Sequence, residues 1–296
     1  MNATGLPTLQ TVLAKEPPSL LCHYTSSDGL IGILKNKEVW ASNIAFLNDS
    51  EEVEHAIGYA KNAIENKIRR GGLSDNEIGI LNAMHGRAGN AAKRYYVASF
   101  SEDGNLLSQW RAYCPPGGGH SIGVPSTQLS AMAQEQGFSL VPCVYEHNLQ
   151  SRLINELVDF HLADAITCLS VDPTVPENSV KHPLWRFTQR LTQVGCLLKH
   201  GSFREEREWR LLSQTVQEPH PQLDFRSSPS RIVPFFRFKL ASSANPNLGA
   251  RDGVTFTVIS GPTSDRALTS MAVQFMVTSY LPTAAFGASD IPYRTW

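Results

Sequence analysis

The sequence predicts an α+β fold. Helix-like and strand-like segments are interspersed along 296 residues without regular strand–helix–strand repeats. No glycine-rich turn follows a strand and no phosphate-loop signature occurs, which removes the doubly wound dinucleotide-binding folds. Hydrophobic residues at 42% supply enough apolar surface for a packed core, so global disorder is excluded. The chain is read as one α+β domain over residues 1–296 with a helical insertion near 148–200, a stretch also readable as a small second lobe.

Residues 1–18 read as a loose arm ending at Pro17-Pro18. Leu20–Thr25 is a short apolar strand. A cap at Ser27-Asp28 opens a helix with Leu30, Ile31, Ile33 and Leu34 on its face, and Val39–Ser42 is a second strand. Asn48-Asp49 forms a turn, and Asp49 with Glu52 makes a capping-box pattern for a helix reaching about Arg69, stopped by Gly71-Gly72. Ser74 and Glu77 repeat that pattern for a helix ending near Lys93. Tyr95–Ser101 is an aromatic and β-branched strand, Asn105–Tyr113 a short helix and Cys114–Gly119 a loop. Strands follow at His120–Val124 and Phe138–Tyr145, then helices near 148–170 and 182–200. Glu206–Leu212 is a strand, the polar segment Gln217–Arg231 a surface loop, and Ile232–Leu240 and Thr255–Ile259 strands. Asp265 caps a helix to about Tyr280, and Ala285–Tyr293 closes the chain as a strand.

Charge and cysteine content narrow the partners. With 26 basic and 27 acidic residues the net charge is −1, which does not support a broadly basic nucleic-acid clamp. No apolar run approaches the roughly 18 residues of a membrane span, and the first 18 residues lack a signal-peptide pattern. The five cysteines are odd in number with no C-x-x-C pair, as expected of reduced thiols in a cytoplasmic protein. The nine histidines form no metal-binding array.

Four clusters carry chemistry. His23-Tyr24-Thr25 ends the first strand just before a helix N-terminus, a place suited to a nucleotide or phosphate. Ser99 and Ser101 flank Phe100 on a strand, so both hydroxyls share one face. Glu206, Glu208 and Arg210 share a face of the later strand. Two carboxylates so placed repel, which makes one harder to ionise and suits an acid/base pair. Trp110 and Tyr113 are helix neighbours beside a glycine loop and suit a flat ring. Asp28 or Asp49 with Glu206 and Glu208 would be the donors of a metal-dependent nuclease, but the lysine that usually follows a nuclease glutamate is missing.

In this order the motifs resemble domain-of-unknown-function family 2971, a bacterial group. The matching residues are His23-Tyr24-Thr25 with Leu30–Leu34, Asn48-Asp49 with Glu52, and Ser99-Phe100-Ser101 with Trp110, Arg111 and Tyr113. Lys199, Phe203, Glu206, Glu208 and Arg210 follow, then Gly261-Pro262, Ser289 and Pro292-Tyr293-Arg294. More distantly, the order His23, Ser99-x-Ser101, Glu206-x-Glu208 resembles the ADP-ribosyltransferase superfamily, although Phe100 replaces the central residue of the middle motif. That resemblance implies an ADP-ribosyltransferase-like split pair of small bent β-sheets with flanking helices, and NAD as substrate in the cleft between them. It implies a glycosyltransferase-class enzyme, a toxin or phage-defence effector acting on a protein or nucleic-acid acceptor. Glu208 would stabilise the ribosyl cation and Glu206 would deprotonate or orient the acceptor. His23, Tyr24, Thr25, Ser99, Ser101 and Trp110 would bind the dinucleotide. The alternative is a non-catalytic ligand- or nucleic-acid-sensing domain of the same fold.

Overall fold

The computed structural model describes residues 1, 3–46, 51–89, 94–114, 118–177, 179–216, 219–228, 230–241 and 253–292. In chain order the elements are α1 (Pro7–Leu13), β1 (Leu20–Thr25), α2 (Ser27–Asn36), β2 (Glu38–Asn43), α3 (Glu51–Arg70), α4 (Asp75–Arg87), β3 (Tyr96–Ser101), α5 (Leu107–Tyr113), β4 (His120–Pro125) and α6 (Ser126–Glu135). They continue with β5 (Phe138–Pro142), α7 (His147–Val171), α8 (Pro183–Gly195), β6 (Glu208–Ser213), β7 (Leu223–Ser227), β8 (Ile232–Lys239), β9 (Thr257–Ser260), α9 (Arg266–Tyr280) and β10 (Ala285–Ala288). The protein is α+β, with a mixed sheet that is antiparallel except for the β9–β10 pair.

The sheet branches at β3. One edge of β3 pairs along its length with β6, from Val97 opposite Leu212 to Ser101 opposite Glu208, and β6 pairs in turn with β5. The other edge is divided. Tyr96 and Val97 pair with β2, whereas Ser101 pairs with Cys22 of β1. One arm continues β1-β4-β9-β10 and another β2-β8-β7. Ser99 lies between the two partners, and the His23 ring fills the fork: its Nδ1–H donates to the Ser99 carbonyl at 2.9 Å. A buried carbonyl without a ladder partner is costly, so this bond replaces the one that the divergence removes.

Apolar cores cover both faces. On one, Val97, Val141 and Leu212 of the sheet meet α1, α3, α4, α7 and α8 through residues such as Ile64, Leu157 and Phe187. On the other, Ala98, Phe100, Trp209 and Leu211 meet Leu30 and Leu34 of α2, Leu129 and Met132 of α6 and Val273 of α9. Alternation along β3 and β6 therefore assigns each side chain to a face.

Local signals account for several boundaries. Ser74 and Glu77 form the full capping box of α4. Gly71 and Gly72 end α3 with φ of +76° and +79°, which only glycine adopts without strain. Asp265 caps α9 through the Leu268 amide. Several expectations need correction. The N-terminal arm contains α1, started by Pro7 and buried through Leu9 and Val12, an apolar spacing interrupted by Thr8 and Gln10. Between β4 and β5, where the sequence predicts no element, lies α6, whose Leu129, Met132 and Ala133 give a short helical stripe. The expected loop 217–231 contains β7, an edge strand whose burial does not alternate cleanly. The helix begun at Asp75 ends at Arg87, before residues 90–93, which lie outside the described residues, as do Asn48 and Asp49.

Candidate functional site

The expected strand over Glu206–Leu212 begins two residues later. Glu206 closes a 3-10 turn (Gly201–Glu206), Arg207 takes a left-handed conformation at φ +43°, and β6 starts at Glu208. Glu206 and Glu208 thus meet because the left-handed residue swings the chain between them, not through strand alternation. Ser101 holds this turn: its hydroxyl donates to the Glu206 carbonyl at 2.7 Å, and the Glu102 amide donates to the Arg207 carbonyl. The Glu208 amide donates to the Tyr145 hydroxyl at 2.8 Å.

Both carboxylates receive the Lys199 ammonium, which bonds Glu206 Oε2 and Glu208 Oε2. Lys199 follows the buried Cys196-Leu197-Leu198 run after α8 and is anchored by its own backbone. Its amide donates to Val144 O at 3.0 Å, and its carbonyl accepts from Gln150 Nε2 at 2.9 Å. Arg210, opposite Ser99 on β3, donates from Nε to Glu208 Oε1 at 2.6 Å, from Nη2 to Glu52 Oε1 at 3.1 Å and from Nη1 to the Cys196 carbonyl at 2.8 Å. Three carboxylates and two cations give this buried cluster a formal charge of −1.

Burial alone would raise the Glu208 carboxyl, but the charges of Arg210 and Lys199 outweigh it and hold the group down at about 2. Burial would likewise lower the Lys199 ammonium, and the Glu208 charge reverses this and raises it. Glu208 is therefore an anion throughout the neutral range. Burial pushes the neighbouring Cys143 thiol well above its usual value, so it is neutral there.

Glu208 forms part of the floor of a cleft of about 450 Å³ between α1, the end of β5 and the start of α7. Exposed Lys15, Arg152, Arg204 and Arg207 stand around it. Three of these cations have acidic neighbours: Lys15 with Glu102, Arg204 with Glu146 and Arg207 with Asp103, at 3.0, 3.2 and 3.3 Å. Arg152 has no ion pair among the described residues. Glu206 is buried beside Lys199 and is not on the cleft wall.

The remaining expected residues lie elsewhere. His23 packs on Phe100, with ring centroids 5.5 Å apart. Phe100 and Ser101 point to opposite faces and Ser101 is paired with Glu208, so His23 and Glu208 occupy opposite faces of the sheet. Thr25, two residues on, shares the His23 side. Tyr24 and Trp110 pack edge to face at 4.6 Å and are buried, and the Tyr24 hydroxyl bridges Asp103 O and the Leu106 amide. Their rings are spent on each other. Asp28 is exposed in the first turn of α2, and among the described residues no group of three His, Cys, Asp or Glu side chains is arranged to hold a metal ion. No helix among the described residues is long and apolar enough to cross a membrane.

The sequence reading gave no chemical part to Lys199, Glu52 or Tyr145. Lys199 has a local signal: a lysine closing an apolar run, seven residues before the first of two glutamates. Glu52, 158 residues from Arg210, has none. No curated protein and no solved structure matches this chain. Residues 109–211, about a third of the chain, run from α5 into β6 and contain Lys199, Glu206, Glu208 and Arg210; they match the model of the family described as protein of unknown function (DUF2971), which the motifs resemble.

Proposed function

We propose that the protein cleaves NAD at the Glu208 cleft and transfers the ADP-ribosyl group to water or a macromolecular acceptor, on a fold of the ADP-ribosyltransferase type. The observation that carries this reading is an ionised carboxylate at the floor of a cleft surrounded by Lys15, Arg152, Arg204 and Arg207. Those cations suit the pyrophosphate, and the first turn of α7, at Glu146 and Leu149, adds a helix N-terminus to the wall. The branched sheet and the Ser101 bond to the Glu206 turn support the superfamily resemblance.

In the reaction the bond between ribose C1′ and the nicotinamide nitrogen breaks, and its electron pair leaves with neutral nicotinamide. Glu208 stabilises the positive charge that develops on the ribose. An oxygen lone pair of water or of an acceptor hydroxyl forms the new bond, and the displaced proton passes to solvent at the cleft mouth. Lys199 and Arg210 hold the Glu208 carboxylate in place. His23 and Thr25, on the other face, take no part in holding the dinucleotide here.

Nicotinamide release from NAD by purified protein tests the reading. Glu208→Gln should reduce it by about 100-fold or more while the far-ultraviolet dichroism stays unchanged. A Glu208→Gln protein as active as the parent would refute it. A second reading, a non-catalytic ligand-binding domain, is favoured by one observation: both Glu208 oxygens already accept bonds from Lys199 and Arg210. That reading expects NAD or a related nucleotide to bind without release of nicotinamide, measured by titration calorimetry.

A further inference from the structure

We propose that the chain forms a two-fold symmetric dimer by antiparallel pairing of β7 with β7 of a second copy, making one sheet continuous across two molecules.

Strand β7 ends one arm of the sheet. It pairs with β8 on one side, and among the described residues no strand pairs with its other edge. The hydrogen bonds that flank it settle which backbone groups point outward. The Arg237 amide donates to the Gln222 carbonyl and the Ser228 amide to the Arg231 carbonyl. Gln222 and Ser228 therefore face β8, and with period-two alternation so do Asp224 and Arg226. Pro234, which has no N–H, stands opposite Phe225, as this register requires. The polar backbone groups of Phe225 and Ser227 are thus directed away from the sheet, where the Phe225 amide donates locally to Asp224 Oδ1 at 2.9 Å, a bond that strand pairing would replace.

The strand reads Leu223-Asp224-Phe225-Arg226-Ser227. Antiparallel pairing about a two-fold axis at Phe225 sets Phe225 against its own copy. It sets Asp224 of each chain against Arg226 of the other, at non-hydrogen-bonded positions where side chains come closest. The strand is therefore charge-complementary to itself in this register. A shift by two residues puts Leu223 against the copy's Phe225 and Asp224 against its own copy, a like-charge contact. Apolar surface accompanies the edge: Phe225 is 66% exposed and Ile232, at the far end of β8, is 68% exposed. The edge strand carries no lysine or proline, and its two charges are of opposite sign, so they favour pairing with a copy of the same strand rather than oppose it. Within the chain Asp224 is held by Arg237. A partner with the same strand adds Arg226 of the copy to that carboxylate, supplies ladder partners for the outward backbone groups and covers Phe225, and the isologous contact closes at two chains.

The test is sedimentation velocity of the full chain over a concentration series. The wild type should approach twice 32.6 kDa as concentration rises. Asp224→Arg and Arg226→Asp should each sediment as monomers, because each sets like charges opposite one another. An equimolar mixture of the two variants should recover the dimer, since every opposed pair then has opposite signs. Circular dichroism shows that each variant is folded. A wild type that stays monomeric throughout, a dimer that both single variants retain, or a mixture that stays monomeric would overturn the proposal.

Discussion

Lys199 carries a buried positive charge between two carboxylates that are two positions apart in the chain, and its removal exposes what it neutralises. With Lys199→Met the Glu206 and Glu208 anions are left sharing a dry site with Arg210 alone. Loss of one member of such a network costs about 3–5 kcal/mol, and urea denaturation at neutral pH should show a loss of that order. The pH dependence separates this from a simple packing defect. In the wild type the Glu208 pKa is depressed from 4.5 to about 2, so its contribution is complete above pH 4.5 and is lost as pH falls from 4.5 towards 2. In Lys199→Met, mutual repulsion raises one carboxyl of the pair, so that protein should gain stability on mild acidification, over a range in which the wild type does not. A variant with the same acid profile as the wild type would show that the ammonium does not set the ionisation of the pair.

Between elements, the contact of α7 with α8 contains a group at odds with its surroundings. His161 is buried against Phe187 of α8, and neither ring nitrogen has a hydrogen-bond partner. The Asp164 carboxylate is 3.8 Å from Nδ1, too far for a hydrogen bond, and is itself held by Arg186, while Arg190 adds a second positive charge nearby. Burial lowers the His161 pKa, with the Asp164 charge opposing and the two arginines assisting. A histidine depressed in the fold binds protons more readily when unfolded, so stability is complete above the ordinary pKa of 6.5 and falls as pH drops below it. His161→Leu should make that slope shallower, the remainder coming from His23, His120 and His182, whose pKa values burial also lowers, and should raise stability at neutral pH by about 1 kcal/mol, measured by chemical denaturation at several pH values. Other elements show why some were readable from the sequence. Ser74 and Glu77 mark α4 because a capping box is local, and Asp265 marks α9 for the same reason. Strand β7 is hard to read because its short Leu223-Asp224-Phe225-Arg226 alternation sits inside the polar, proline- and serine-rich stretch Gln217–Arg231, on an edge where neither face is fully buried. The order His23, Ser99, Glu208 is legible, but the face each occupies depends on strand register, and a displacement of one residue reverses it. The Glu52–Arg210 contact joins distant segments and leaves no local trace.

At the scale of the molecule, the sheet has a buried centre and, among the described residues, three ends, at β10, β7 and β5. Amides of β3 and β6, paired on both edges and covered by apolar layers on both faces, should exchange with solvent most slowly; those of β10, at an end of the sheet with no fully buried residue, should exchange much faster than these. Hydrogen exchange followed by mass spectrometry measures this, and a β10 as protected as β3 would contradict it. Considered as a graph of paired strands, the sheet of the described residues is a tree in which β3 is the only node with three neighbours. Deleting that node leaves three disconnected pieces: β1-β4-β9-β10, β2-β8-β7 and β5-β6. Among the described residues no strand ladder outside β3 fixes any of these pieces relative to another. The shared strand is therefore the common origin from which all three are positioned. An error in its register propagates to every arm at once, whereas an error at an outer strand stays within its own branch.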